Sequence, residues 1–159
     1  MLKLTKKADY GLMAMKHLAE HAHEGACSAK DVAENYGIPP EALAKILQRL
    51  VKAGLLHSQH GTNGGYVLAR SAESISAFEV IRAIDGPLFI TSCVTVRGEC
   101  DRTDRCTIRE PLRRVNDSIE QVLRRIKISH MKEKEEEEIG ELRVETKAET
   151  KAELVRIRN

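Results

Sequence analysis

The chain has 159 residues, of which 42% are hydrophobic, 31% charged and 3% aromatic, and its formal net charge is +2. This length suits one domain with an additional segment, and so few aromatic residues argue against the stacking surfaces that bind single-stranded nucleic acids. No stretch approaches the roughly 20 apolar residues of a membrane-spanning helix, and the charged start is unlike a signal peptide, so we expect a cytoplasmic protein that does not bind membranes.

The first 70 residues carry the basic excess of the chain, with nine Lys and Arg against six Asp and Glu, and they predict three helices. Thr5 is a favourable N-cap for a helix that continues to about residue 22. Ser28 caps a second helix over residues 29–36, which Gly37 ends, and the following proline pair begins a third helix. The predicted buried face of the third helix consists of Leu43, Ile46, Leu47, Leu50 and Val51.

Two helices joined by a short turn form the helix-turn-helix arrangement, whose second helix enters the major groove of DNA. After Gly54, residues 55–59 and 66–69 are predicted to form a hairpin with a glycine-rich turn, which is typical of a wing. The pattern predicts a winged helix-turn-helix domain, mostly α-helical with a small β wing, that binds double-stranded DNA. The residues predicted to contact DNA are Ser28, Glu41, Lys45, Gln48, Lys52, His60, Gly61, Thr62, Asn63, Gly64, Gly65 and Tyr66.

A short helix over residues 77–83 and a turn at residues 85–87 come next, and a long amphipathic helix follows further on. Its apolar residues alternate spacings of three and four, the pattern of a two-stranded coiled coil. We therefore expect a homodimer that binds an operator with dyad symmetry. The predicted dimer seam consists of Leu112, Val115, Ile119, Val122 and Ile126.

Three cysteines, Cys93, Cys100 and Cys106, are spaced C-x6-C-x5-C in a polar segment that has little apolar surface to bury. Because packing does not explain such a segment, a bound group is expected to order it. Thiolates hold iron-sulfur clusters or zinc, and neighbouring arginines favour the thiolate form. The spacing favours a cluster and leaves zinc and thiol redox chemistry open, whereas Cys27 is expected to be a buried structural residue.

These features divide the chain into four parts: a winged helix-turn-helix domain at 1–90, a three-cysteine cluster-binding loop at 91–108, a dimerisation helix at 109–130 and a charged tail at 131–159. The tail is expected to be disordered, because it cannot bury enough apolar surface to offset its conformational entropy.

Four motifs in register carry a family resemblance: MLKLTKKADYG at the start, GIPPEALAKILQRLVKAGLL across the third helix, GTNGGY in the wing, and the three-cysteine loop. From residue 1 to about residue 130 the chain resembles the Rrf-type winged-helix regulators, which include the IscR, NsrR and RirA branches. Its opening is most similar to regulators of the SUF iron-sulfur assembly system. The resemblance implies a homodimeric transcription factor in which Cys93, Cys100 and Cys106 bind an iron-sulfur cluster whose state alters operator binding. We expect it to repress genes of iron-sulfur assembly or related stress responses.

The chain departs from this family pattern at several positions. The IscR branch has a histidine ligand three residues after the last cysteine, where this chain has Arg109, which cannot ligate. In the nitric-oxide-sensing branch an acidic residue of the partner's first helix completes the site, and Asp9 stands at the matching position. Asp9 could equally stabilise the start of its own helix, and Glu110, a small thiol or water are the other candidates for the fourth ligand.

Two smaller departures concern spacing and the wing. The interval between the first two cysteines is one residue longer than is usual in the IscR and NsrR branches. His60 stands where the family often has an arginine, and a neutral histidine reads a narrow minor groove less well than arginine does.

The rival hypothesis is a protein-interaction module that docks on an enzyme of sulfur metabolism, with the thiols as a disulfide switch. An enzyme is not expected, because the sequence has no phosphate-binding loop, paired catalytic carboxylates or nucleophile elbow.

Overall fold

A computed structural model of the protein describes residues 3–61, 64–91 and 105–131. Within these ranges the structure is mostly α-helical with one small antiparallel sheet, as predicted. The helices are α1 (Lys6–Glu20), α2 (Ala29–Tyr36), α3 (Pro40–Lys52), α4 (Ala77–Asp85) and α5 (Arg109–Arg125), and the strands are β1 (Leu56–Gln59) and β2 (Gly65–Leu68). A short 3₁₀ helix, Ile128–Met131, follows α5.

Side-chain caps start three of the helices. The Thr5 hydroxyl oxygen accepts a hydrogen bond from the Ala8 N–H at 3.1 Å, and Ser28 does the same for the Asp31 N–H. Ser76 and Glu79 form a reciprocal capping box at the start of α4. Gly37 ends α2 in the left-handed conformation (φ 62°), where glycine avoids the steric cost of a side chain.

The core lies where α1, α3 and α4 meet over β1. α3 supplies four buried residues: Leu43, Ile46, Leu47 and Leu50. The chain after α5 also contributes, because Ile128 is fully buried in the same cluster. The predicted face of α3 is therefore confirmed, with Val51 at its half-buried edge.

A single residue outside the two strands, Cys27, also pairs with β2. In the hairpin Tyr66 pairs with Ser58, and on its other edge Tyr66 bridges to Cys27 through backbone hydrogen bonds of 2.9 and 3.1 Å. This bridge joins the wing to the residue that precedes the N-cap of α2.

A histidine pair lies between α1 and α2. His17 is buried, stacks on His21 with a 4.1 Å separation of the ring centroids, and meets the edge of Tyr36. Burial, together with the neighbouring His21, lowers the pKa of His17, so this ring is neutral at neutral pH.

α5 packs against α4, and the chain on either side of it is tied down. The Ile90 N–H donates to Asn116 Oδ1 at 3.1 Å, and Asn116 is the buried residue of α5. Beyond the helix, Ala77 N–H donates to the Ile126 carbonyl and Ile128 N–H to the Ile75 carbonyl, both at 2.9 Å. Ile126 therefore lies after the end of the helix, although the predicted seam placed it inside.

In the described ranges every helix is too short or too polar to cross a membrane.

Candidate nucleic-acid interface and cysteine segment

The outer face of α3 is polar and open to solvent. Glu41, Lys45, Gln48 and Lys52 are all exposed, opposite the buried leucines and isoleucine of the same helix. Amides and charged groups of this kind bond to base edges and phosphates when a helix lies in the major groove. The structure thus places four of the predicted DNA-contacting residues on one accessible surface.

Ser28 is already engaged within its own helix. Its hydroxyl accepts from the Asp31 N–H at 3.1 Å and donates to Asp31 Oδ2 at 2.7 Å. The observed role of Ser28 is therefore the N-cap of α2, and a contact between Ser28 and DNA stays a prediction.

The wing presents His60 and Gly61 to solvent at the end of β1. Thr62 and Asn63, also predicted to contact DNA, lie outside the described residues. Gly64 closes the turn, since its N–H donates to the Gly61 carbonyl at 3.0 Å. Tyr66 is half-buried and packs against the core, so much of its ring serves the domain itself.

Gly65 has a packing role that sequence reasoning did not anticipate. A Cβ atom on Gly65 would lie 2.4 Å from the Cys27 carbonyl oxygen and 2.6 Å from its carbonyl carbon. No L side chain fits there without a shift of the backbone. Gly65, which we predicted to contact DNA, therefore also permits the close approach of the wing to the start of α2.

Two long-range hydrogen bonds hold the end of α4 against the other helices. Arg49 Nη1 of α3 donates to the Ile84 carbonyl at 2.6 Å. The Thr5 hydroxyl lies 2.8 Å from both carboxylate oxygens of Asp85. Both bonds escaped sequence reasoning, because no local pattern pairs residues 35 or 80 positions apart.

The cysteine segment is described only at its end. Cys106 is a free, half-buried thiol just before α5, whereas Cys93 and Cys100 lie outside the described residues. Within the described ranges, no three His, Cys, Asp or Glu side chains lie close enough together to hold a metal ion. The three-cysteine ligand set therefore stays a prediction.

The candidates for a fourth ligand differ in their availability. Asp9 is half-buried in the first turn of α1. Glu110 is engaged by Arg113, with hydrogen bonds of 2.8 and 2.9 Å that lower the pKa of this carboxyl group. Arg109 is exposed at the start of α5.

The predicted dimer seam divides into two rows on α5. Leu112 and Ile119 are half-buried. Val115 and Val122 are 47% and 56% exposed, and Ile108, seven residues before Val115, is 60% exposed. Residues seven apart lie on one face of a helix, so these three form a continuous apolar row on the surface of the single chain.

Taken together, α2, α3 and the hairpin have the arrangement of a winged helix-turn-helix DNA-binding protein. The profile of the Rrf2 family, described as iron-dependent transcriptional regulators, matches residues 4–134. The chain belongs to this family and is a DNA-binding transcriptional regulator.

Individual relatives agree with this assignment. The chain is 33% identical over 130 residues to the transcriptional regulator IscR of Erwinia tasmaniensis, covering 82% of this chain and 78% of the relative. The structure of IscR from T. potens matches with a TM-score of 0.62 and 33% identity, over 82% of this chain and 85% of that one. The structure of CymR, the global cysteine regulator of B. subtilis, matches with a TM-score of 0.66 and 32% identity, over 81% of this chain and 95% of that one.

Proposed function

We propose that this protein is a homodimeric repressor that binds an operator with dyad symmetry and responds to an iron-sulfur cluster. The exposed polar face of α3, next to the wing, is the observation that carries DNA recognition. In the proposed complex Glu41, Lys45 and Gln48 meet base edges or phosphates in the major groove, and the wing around His60 approaches the adjacent minor groove. Genes of iron-sulfur assembly or related stress responses are the proposed targets.

The three cysteines are the proposed ligands of the cluster. Cys106 supports this by its chemistry and position, since it is a free and partly accessible thiol directly before α5. An iron-sulfur cluster bound there would be present or absent according to the supply of iron and sulfide and the level of oxidants. Asp9 of a partner subunit and Glu110 are the protein candidates for the fourth ligand, and Asp9 is the freer of the two.

The proposed dimer forms through the outer row of α5. Ile108, Val115 and Val122 have no apolar cover within the described part of the chain, and burying them against a second copy would remove them from water. A dimer also places two α3 helices at two half-sites. Since α5 packs on α4, and α4 is bonded to α3 through Arg49, a change in the cysteine segment has a continuous physical route to the recognition helix.

One experiment with two variants tests these assignments separately. Protein purified without oxygen is analysed for its visible spectrum, iron and sulfide, and is titrated with an operator selected from random-sequence duplexes. Lys45→Ala is expected to weaken operator binding at low salt and to keep the colour. Cys100→Ser is expected to lose the colour and to stay a folded dimer.

Lys30→Ala is the matched control for Lys45→Ala. Lys30 is also an exposed helix lysine, but it pairs with Glu34 at 3.7 Å and lies on α2. Equal loss of affinity in both lysine variants would contradict the assigned recognition face. Colourless wild-type protein would contradict the cluster and leave a zinc site or a thiol switch as the sensor, and loss of the dimer in Cys100→Ser would make the cysteine segment structural.

A further inference from the structure

A groove of about 380 Å³ lies beside the recognition helix, between the start of α1, the outer edge of α3 and the end of α4. Its apolar floor includes Ile46 and Ile84. Its polar lining consists of Lys7, Glu41, Lys45 and Arg49. Because Glu41 and Lys45 also belong to the exposed face of α3, the groove is continuous with the surface proposed to meet DNA.

The lining carries three cationic side chains and one carboxylate, so its net charge is positive. Within the described ranges, neither Lys7 nor Lys45 has a carboxylate at ion-pair distance. Lys16 and Lys30, by contrast, pair with Glu20 and Glu34, each at 3.7 Å. The groove therefore combines excess positive charge with side chains that are free to bind an anion.

The position of Lys7 is fixed by close helix packing. Lys7 and Gly11 are four residues apart and share one face of α1. A Cβ atom on Gly11 would lie 2.1 Å from Ile84 Cδ1 and 3.5 Å from Ile46 Cγ2, so α1 lies directly against α3 and α4 at this point. Arg49 holds the opposite wall through its bond to the Ile84 carbonyl. The ammonium group of Lys7 therefore extends from a rigid wall next to α3.

We propose that Lys7 is a further DNA-binding residue, which contacts one phosphate of the duplex backbone while α3 lies in the major groove. This inference rests on the DNA binding proposed above and names a part of that same interface. A lysine supplies a point charge to a phosphate oxygen. Such a contact is independent of base sequence, so it adds affinity and fixes the register of the domain on the duplex.

The salt dependence of binding tests this contact. Each neutralised phosphate contributes about 0.9 to the slope of log affinity against log salt concentration. Because the proposed dimer carries two copies of Lys7, Lys7→Gln is expected to reduce the slope by about 1.8, and to weaken the selected operator and a mixed-sequence duplex in the same proportion. Lys7→Arg is expected to keep the wild-type slope.

Lys6→Gln is the matched control, since it removes the same charge from the neighbouring residue, which does not line the groove. A smaller change of slope in Lys6→Gln than in Lys7→Gln supports the contact. Equal changes in both variants, or an unchanged slope in Lys7→Gln, would overturn it. A wild-type protein that binds no duplex at all would defeat the proposed function itself, which is a different result from wild-type binding that Lys7→Gln leaves intact.

Discussion

α3 and α5 are both amphipathic helices, but they differ in how much of their apolar surface the folded chain buries. α3 buries four large apolar side chains among α1, α2, α4 and β1, whereas the buried residue of α5 is the polar Asn116. The apolar row formed by Ile108, the N-cap of α5, and by Val115 and Val122 on the helix faces solvent. An apolar stripe thus indicates that a helix has a partner surface, but does not say whether that surface belongs to the same chain. α3 has its partner surface within the domain, whereas the outer row of α5 has none among the described residues.

The largest expected effect is at the centre of α3. Leu47 is fully buried, and Leu47→Ala should lower the free energy of unfolding by about 3 kcal/mol through lost transfer energy and the cavity that remains. Chemical denaturation followed by circular dichroism measures this change. A loss below about 1 kcal/mol would mean that α3 is less tightly packed than the structure has it.

Dense packing extends to the base of the wing. Gly65→Ala should cost about 2 kcal/mol, because the new methyl group meets the Cys27 backbone and forces the hairpin away from α2. Operator affinity should fall as well, since the wing moves relative to α3. Ser58→Ala, at an exposed residue of β1, is the control, and equal behaviour of the two variants in thermal melts and operator titrations would contradict this packing.

A smaller effect is expected at Glu79 of α4, the helix that packs against both α3 and α5. Although its partial burial opposes ionisation, hydrogen bonds from Arg70 and Ser76 lower the pKa of Glu79 from 4.5 to about 2. Because the pKa is lowered on folding, the ionised group stabilises the protein above pH 4.5, and this contribution is lost as the pH falls towards 2.

Glu79→Gln should therefore lower stability by about 1 kcal/mol at neutral pH, a figure reduced for the partial exposure of the carboxylate. The difference between variant and wild type should shrink below pH 4.5 in denaturation curves. A difference that stays constant down to pH 2 would show that charge plays no part in it.

The smallest effect on the single chain is expected on the outer row of α5. Val122→Ala should change the unfolding free energy of the monomer by less than about 0.5 kcal/mol, because the side chain is largely exposed. It should raise the dissociation constant of the proposed dimer by about fivefold, since both copies of Val122 lose apolar surface that the interface would bury. Sedimentation velocity over a concentration series measures both species, and an unchanged dissociation constant would place the dimer contact elsewhere.

Local chemistry made much of the fold predictable. Thr5 and Ser28 cap helices where their hydroxyls and the following apolar spacing indicated, and the glycine-rich hairpin forms the small sheet. The polar face of α3 also followed from helical spacing. α1 ends at Glu20, two residues before the predicted end, and α4 continues to Asp85, two residues beyond it, since helix ends depend on packing as well as on sequence.

The sequence by itself determined the order of elements and the winged helix-turn-helix class, because caps, turn glycines and apolar periodicity act over a few residues. The family followed from the resemblance of its motifs. The tertiary structure decided which apolar stripe is covered, that Gly65 serves the contact with Cys27, and that Arg49 and Thr5 hold the end of α4. It also placed Lys7 beside the recognition helix. These features join residues far apart in the chain, and the close approach that creates them arises only when the helices pack.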